Sequence, residues 1–179
     1  MKKLICMLLA LMLAATAVPA MAEETHALVA YFSCTGNTKD IAELIADATG
    51  AELFEIVPET PYTEEDMNHQ AGSRANVEQD DRKARPAILN AVEDMEAYDT
   101  IYLGYPIWFG DAPRIISTFL ESYDFSGKTI VPFCTSGRSA IDDSVQNLRA
   151  LCKDAAILDG ERLNGATASD ISAWLDSLA

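Results

Sequence analysis

Apolar runs alternate with amphipathic runs along most of the chain. Ala27–Phe32 is almost wholly apolar, which is typical of a strand covered on both faces. Asn37–Thr49 carries apolar residues at helical spacing and is followed by Gly50, a common helix stop. The same reasoning predicts strands at Leu53–Val57, Thr100–Gly104, Lys128–Cys134 and Ala155–Leu158, and helices at Pro86–Glu96, Pro113–Ser122, Ile141–Cys152 and Ser169–Leu178.

Five strands separated by helices predict an α/β fold with a parallel, doubly wound sheet in three layers. In such sheets ligands bind beyond the carboxyl ends of the strands, near the point where the strand order reverses. Three turns lie at that edge: 33–38 after the first strand, 104–111 after the third and 135–139 after the fourth. The polar segment 58–86 is long for a loop, so we expect part of it to be helical or functional.

The N-terminal residues have the pattern of a secretory signal peptide. Lys2 and Lys3 precede an apolar core at Leu4–Ala17, and Ala20-Met21-Ala22 supplies small residues at a cleavage site. We therefore predict a signal peptide at 1–22, one domain at 23–179, export to the cell envelope or the exterior, and no membrane span after cleavage. The alternative is an uncleaved anchor, for which the apolar run is short.

The charge and the cysteine content limit the classes of partner and the covalent links that we expect for the domain. The formal charge is −15, and removal of Lys2 and Lys3 with the signal peptide makes it −17, because residues 1–22 contain no acidic residue. Such acidity argues against nucleic acid and anionic membrane surfaces as partners. Cys34 and Cys134 would follow strands two positions apart, farther than a disulfide spans, so we expect free thiols there and at Cys152.

The turn Ser33-Cys34-Thr35-Gly36-Asn37-Thr38 joins a strand to a helix start. Unpaired backbone N–H groups, the helix dipole and the hydroxyls make such a turn suited to a phosphate monoester. The turn lacks the lysine of a Walker loop and the Gly-x-Gly-x-x-Gly of a dinucleotide site. The alternative is that its hydroxyl residues only cap the helix.

The other two turns supply an apolar wall and a polar rim. Gly104-Tyr105-Pro106-Ile107-Trp108-Phe109-Gly110 sets large aromatic residues between glycines, which favours a planar ligand; alternatively the rings fold back onto the core. Thr135-Ser136-Gly137-Arg138-Ser139 offers hydrogen-bond donors for the edge of such a ligand, or is an ordinary polar turn. An anion anchor, an apolar wall and a polar rim on one edge are more specific together than any one alone.

These residues resemble the flavodoxin family. Thr35-Gly36-Asn37-Thr38 is similar to its flavin mononucleotide (FMN) phosphate loop, and 98–113 and 127–137 are similar to a short-chain bacterial flavodoxin-like subfamily. The resemblance implies a flavodoxin-like α/β/α sandwich with a five-stranded parallel sheet in the order 2-1-3-4-5. It also implies FMN-binding roles for Ser33, Thr35, Gly36, Asn37, Thr38, Pro106, Ile107, Trp108, Phe109, Gly110, Thr135, Ser136 and Gly137. We add Cys34, which lies within the phosphate turn, and Arg138, which lies within the polar rim, as candidate site residues.

Arg138 stands where the subfamily resemblance leads us to expect a small residue. A guanidinium near the flavin would favour the anionic reduced form and raise the reduction potential; the alternative is an arginine that faces solvent. His26 and His69 have no partner at catalytic or metal-ligand spacing, so we expect both at the surface. We predict no metal site and no catalytic acid, base or nucleophile.

Three functions are consistent with this sequence. The first is electron transfer through FMN to a redox partner protein or a small-molecule acceptor, by a monomer or a homodimer. The second is an NAD(P)H-dependent flavin or quinone reductase, with 58–86 as a lid. The third is a binding module that keeps the fold without flavin, since a protein exported unfolded must find its flavin outside the cytoplasm.

Overall fold

The computed structural model describes residues 26–68 and 70–178. The predicted signal peptide and His69 lie outside these ranges. The strands are β1 (Ala27–Tyr31), β2 (Glu52–Glu55), β3 (Thr100–Pro106), β4 (Thr129–Thr135), β5 (Ala156–Ile157) and β6 (Glu161–Arg162). The helices are α1 (Asn37–Thr49), α2 (Arg74–Asp80), α3 (Arg114–Glu121), α4 (Asp142–Leu151) and α5 (Ala168–Asp176), with a 3-10 turn at Met95–Ala97.

The strands form one parallel sheet in the order β2-β1-β3-β4-β5, which confirms the predicted fold. Leu28 pairs with Ile101 across β1 and β3, and Ile101 pairs with Ile130 across β3 and β4. Because every pairing is parallel, the turns that follow β1, β3 and β4 meet at one edge.

Two apolar layers cover the faces of the sheet. Leu28 and Ala30 of β1 pack with α3 and α4, whereas Val29 and Tyr31 pack with α1 and α5. Alternate residues of the strand thus enter opposite cores, which explains why β1 is apolar almost throughout. Among the described residues, no helix combines the length and the hydrophobicity that a membrane span requires.

The prediction of a helix at Pro86–Glu96 is wrong. Backbone hydrogen bonds pair 87–89 with 57–59 instead, from the Glu59 N–H to the Ala87 carbonyl and from the Leu89 N–H to the Val57 carbonyl. The Asn90 side chain adds to this pairing by donating to the Glu55 carbonyl at 2.8 Å. A proline is tolerated at the first position of a helix, so these contacts, and not Pro86 itself, keep the segment extended.

The last position in the sheet is divided between two short strands. β5 pairs with the start of β4, and β6 pairs with its end, so one more strand is present than the sequence predicted. Gly160 lies between them with φ 75°, and a Cβ there would meet the Pro132 carbonyl oxygen at 2.5 Å. The chain can pass this close to β4 only because that residue is glycine.

Candidate functional site

The loop that precedes α1 leaves the first turn of the helix open. Gly36 is the N-cap residue at φ 88° and has no side chain to cap the helix, which argues against the capping alternative. The Ser33 hydroxyl accepts from the Gly36 N–H at 3.2 Å, and the Asn37 amide donates to the Thr35 hydroxyl at 3.0 Å. The N–H groups of this turn have no acceptor within the helix and carry the positive end of its dipole, as an anion requires.

A buried pair of hydroxyls joins this loop to the turn after β4. The Oγ1 atoms of Thr38 and Thr135 lie 2.8 Å apart, and the two residues are only 1% and 6% exposed. One hydrogen is used between them, so the pair keeps one O–H to donate elsewhere. The two turns are therefore held in a fixed relation without a ligand.

The aromatic turn after β3 is tight and strained. The Trp108 N–H donates to the Asp111 carbonyl at 2.9 Å, and the Asp111 N–H donates back at 3.0 Å. Between them Phe109 has φ 50° and Gly110 has φ 84°. The left-handed region is unfavourable for a bulky residue such as Phe109, and strain of this kind clusters at functional sites.

The two aromatic residues of this turn have different surroundings. The Trp108 ring packs edge-on against Phe32 and Tyr62, with centroids 5.5 Å and 5.0 Å apart. It therefore partly fulfils the alternative in which the ring folds back onto the protein. Phe109 is 46% exposed and so keeps a large apolar surface at the sheet edge.

The three turns line one cavity of about 400 Å³, a volume within the usual range of small-molecule sites. Nine predicted site residues line it: Thr35, Asn37, Pro106, Ile107, Trp108, Phe109, Thr135, Ser136 and Gly137. Six do not: Ser33, Cys34, Gly36, Thr38, Gly110 and Arg138.

Sequence reasoning missed three residues of this wall: Met67, Ala75 and Asn164. Met67 and Ala75 belong to the long segment 58–86, which thus closes one side of the cavity. The Asn164 carboxamide oxygen accepts from the Ser136 N–H at 2.8 Å, which leaves its NH₂ group to donate. The position of Asn164 depends on β6, an element that two residues could not reveal in the sequence.

Charged groups of the described chain lie near the cavity but do not line it. Arg138 is exposed, and Arg162 donates to the Ser136 carbonyl at 3.4 Å. Burial raises the pKa of the Cys34 thiol to about 12, an effect that the nearby Arg74 charge reduces. The cysteines of the described region are free, as predicted, and no cluster there has the composition of a metal site.

Comparisons with known proteins identify the family. The flavodoxin family model matches residues 26–178. The chain belongs to the flavodoxin family. No protein with a curated functional description matches it.

Two crystal structures assigned as flavoproteins are similar over nearly the whole domain. The one from Bacteroides eggerthii is 44% identical, with a TM-score of 0.82, over 86% of this chain and 97% of that chain. The one from Bacteroides uniformis is 43% identical, with a TM-score of 0.82, over 85% and 98%. A Lactobacillus acidophilus flavoprotein in complex with FMN is 22% identical, with a TM-score of 0.66, over 84% and 99%, and shows the same fold.

Proposed function

We propose that this protein binds FMN without a covalent bond and carries electrons to a redox partner protein or a small-molecule acceptor. One observation supports the proposal most directly: an open helix N-terminus, an aromatic turn and a polar rim line the same cavity. Membership of the flavodoxin family supports it at the family level.

The residues of the cavity fit the chemistry of FMN. Thr35, Asn37 and the N–H groups at the start of α1 would hold the phosphate. Phe109 and Trp108 offer an apolar wall for a planar ring. In the same lining, Thr135, Ser136, Gly137 and Asn164 offer donors for the oxygen and nitrogen atoms of the ring edge.

FMN supplies one- and two-electron redox chemistry when it is bound, so no side chain needs to act as an acid, a base or a nucleophile. The side chains bind the cofactor, exclude water from it and set the local field. The difference in affinity for the oxidised and reduced forms determines the reduction potential, and residues at the ring contribute to it.

We further propose that the protein acts outside the cytoplasm after cleavage near Ala22. The pattern of residues 1–22 supports export. The FMN site would then be filled after folding, by flavin that is present in the cell envelope or the medium. Detection of the mature chain beginning at Glu23 in the cell envelope or the medium tests this proposal.

The test of binding is a fluorescence titration with FMN and, in parallel, with riboflavin, which lacks the phosphate. Asn37→Asp places a carboxylate at the first position of α1, where the helix dipole favours it; the carboxylate can accept from the Thr35 hydroxyl in place of the bond that the Asn37 amide donates. Two negative charges about 6 Å apart at an effective dielectric constant of about 20 repel by about 3 kcal/mol. We expect FMN to bind at least tenfold more weakly to the variant, with riboflavin binding unchanged.

Two results would contradict the proposal. A purified protein with no flavin absorption and no quenching of added FMN would favour the flavin-free binding module. Equal losses of FMN and riboflavin affinity in Asn37→Asp would show that the phosphate is held elsewhere.

A second candidate is an NAD(P)H-dependent flavin or quinone reductase. A neighbouring cavity of about 560 Å³ favours it by its place beside the same turn, at Phe109 and Gly110; its charged lining combines two arginines with three carboxylates, namely Arg82, Arg114, Asp80, Asp111 and Asp143. Anaerobic mixing of the FMN-loaded protein with NADH or NADPH distinguishes the two. Rapid bleaching of the flavin favours the reductase, and its absence favours the electron carrier.

A further inference from the structure

Gln79, at the end of α2, holds both sides of the aromatic turn. Its side-chain NH₂ group donates to the Trp108 carbonyl at 3.0 Å and to the Ala112 carbonyl at 3.2 Å. These two carbonyls flank Phe109 and Gly110. Gln79 is only 7% exposed, so water does not compete well for the two hydrogen bonds.

Arg114 closes a second connection between α2 and the turn. Its Nη2 donates to the Gln79 backbone carbonyl at 2.8 Å, and its Nη1 lies 3.1 Å from the Asp111 carboxylate. That carboxylate also accepts from the Ala112 N–H at 2.8 Å. Gln79, Arg114 and Asp111 therefore form one hydrogen-bonded frame around the turn.

The two carbonyls fix which way the Gln79 amide faces. Carbonyl oxygens accept hydrogen bonds only, so the NH₂ group must face them and the amide oxygen must face away. That oxygen, Oε1, is buried without a hydrogen-bond partner, and so is the Nε atom of Arg114. A buried polar atom without a partner is unfavourable, and its retention here indicates that the two bonds to the turn matter more.

The turn needs such support because its backbone is strained. Phe109 lies at φ 50°, which a bulky residue adopts only when the surrounding structure enforces it. The Trp108–Asp111 hydrogen bonds close the turn from inside, and Gln79 holds its two ends from outside. Of these, only Gln79 comes from the segment 58–86.

We propose that Gln79 is a positioning residue for the flavin. It fixes the turn so that the aromatic wall is formed before the cofactor arrives, and it limits how far the turn can adapt when the cofactor changes its redox state. This inference rests on the proposed function, because Gln79 acts through the turn and does not line the proposed flavin cavity.

The test compares Gln79→Met and Gln79→Glu with the wild-type protein. Methionine keeps the length of the side chain without a donor, and glutamate sets a carboxylate against two carbonyl oxygens. Gln70→Met is the matched control, because Gln70 is an exposed glutamine of the same segment 58–86 and lines neither cavity. The readouts are amide hydrogen exchange without FMN, FMN affinity well below the unfolding temperature, and the midpoint potential.

We expect exchange at the Trp108 and Asp111 amides to be at least tenfold faster in both Gln79 variants, with exchange in β4 unchanged. FMN affinity should fall at least tenfold, and the ratio of affinities for the oxidised and reduced forms should change. A tenfold change in that ratio is a shift of about 59 mV for a one-electron couple. Gln70→Met should match the wild type in all three.

Unchanged exchange at the turn, or a lower unfolding temperature with the affinity and potential of the wild type, would overturn the inference. The exchange experiment does not use FMN. If the wild-type protein binds no FMN, the proposed function fails, and the exchange rates still decide whether Gln79 holds the turn.

Discussion

The backbone at Phe109 gives the sharpest prediction for the aromatic turn. We consider two variants that both remove the ring, Phe109→Gly and Phe109→Ala. Any contact that the ring makes is lost equally in the two, so their difference in stability reports the backbone at φ 50° alone.

The expected difference follows from two opposing costs. The left-handed region destabilises a residue that has a Cβ by about 1–2 kcal/mol. Glycine avoids this strain but loses about 0.5–1 kcal/mol more in conformational entropy on folding. Phe109→Gly should therefore be more stable than Phe109→Ala by up to about 1.5 kcal/mol. At an ordinary helical or extended position the sign is the reverse, since alanine is then favoured.

FMN affinity should behave differently from stability. Stacking on one aromatic ring is worth about 1–3 kcal/mol, which corresponds to a loss of about 5–150-fold. Because the lost ring is the same, this loss should be similar in both variants.

Urea unfolding of the protein without FMN measures the stabilities, and fluorescence titration measures the affinities. Greater stability of Phe109→Ala than of Phe109→Gly would refute the argument that this turn is strained. Unchanged FMN affinity in both variants would refute the role of the ring in the flavin wall.

Three other predictions concern the same edge of the sheet. Thr38→Val and Thr135→Val should each lower the free energy of unfolding in urea by about 1–3 kcal/mol, because each leaves a buried hydroxyl unpaired. The double variant should lose less than the sum of the two single losses, and additive losses would argue against a hydrogen bond between the two hydroxyls. Because Arg138 is exposed and does not line the cavity, solvent screens its charge, so Arg138→Gly should lower the midpoint potential of the bound flavin only slightly, and a large fall would place the guanidinium at the ring. Burial raises the pKa of both Cys34 and Cys134 to about 12. Stability from these neutral thiols is complete below their ordinary pKa of about 8.5 and is lost as the pH rises toward 12; we expect the unfolding temperature to fall above about pH 9, and a flat profile would contradict this.

The sequence predicted the fold where burial alone determines an element. β1 is apolar because both of its faces are covered, and α1 has the predicted bounds because Gly50 ends it in a left-handed cap. Prediction failed at Pro86–Glu96, where hydrogen bonds to 57–59 override a helical pattern. It also missed β6, since two residues that pair with a distant strand leave no periodic signal.

The candidate site also contains residues that the sequence could predict and residues that it could not. Residues in turns that directly follow strands were predictable, because the topology brings those turns together. Met67, Ala75 and Gln79 were not, because they lie in a polar segment whose path depends on tertiary contacts. Thr38 and Thr135 were predicted as separate contacts to a ligand, and only the structure shows that their hydroxyls bond to each other.

Different contacts support the phosphate side and the ring side of the cavity, and this difference predicts which side opens more easily to admit the cofactor. The phosphate side rests on α1, on Gly36 and on a hydroxyl pair that is almost fully buried. The ring side rests on a strained turn that α2 supports from outside. Local opening costs least where few apolar groups are buried, and Phe109 is 46% exposed whereas the hydroxyl pair is buried. In a folded protein without FMN we therefore expect the phosphate site to be the more protected half, and the aromatic turn to be the part of the cavity that opens when the Gln79 hydrogen bonds are lost.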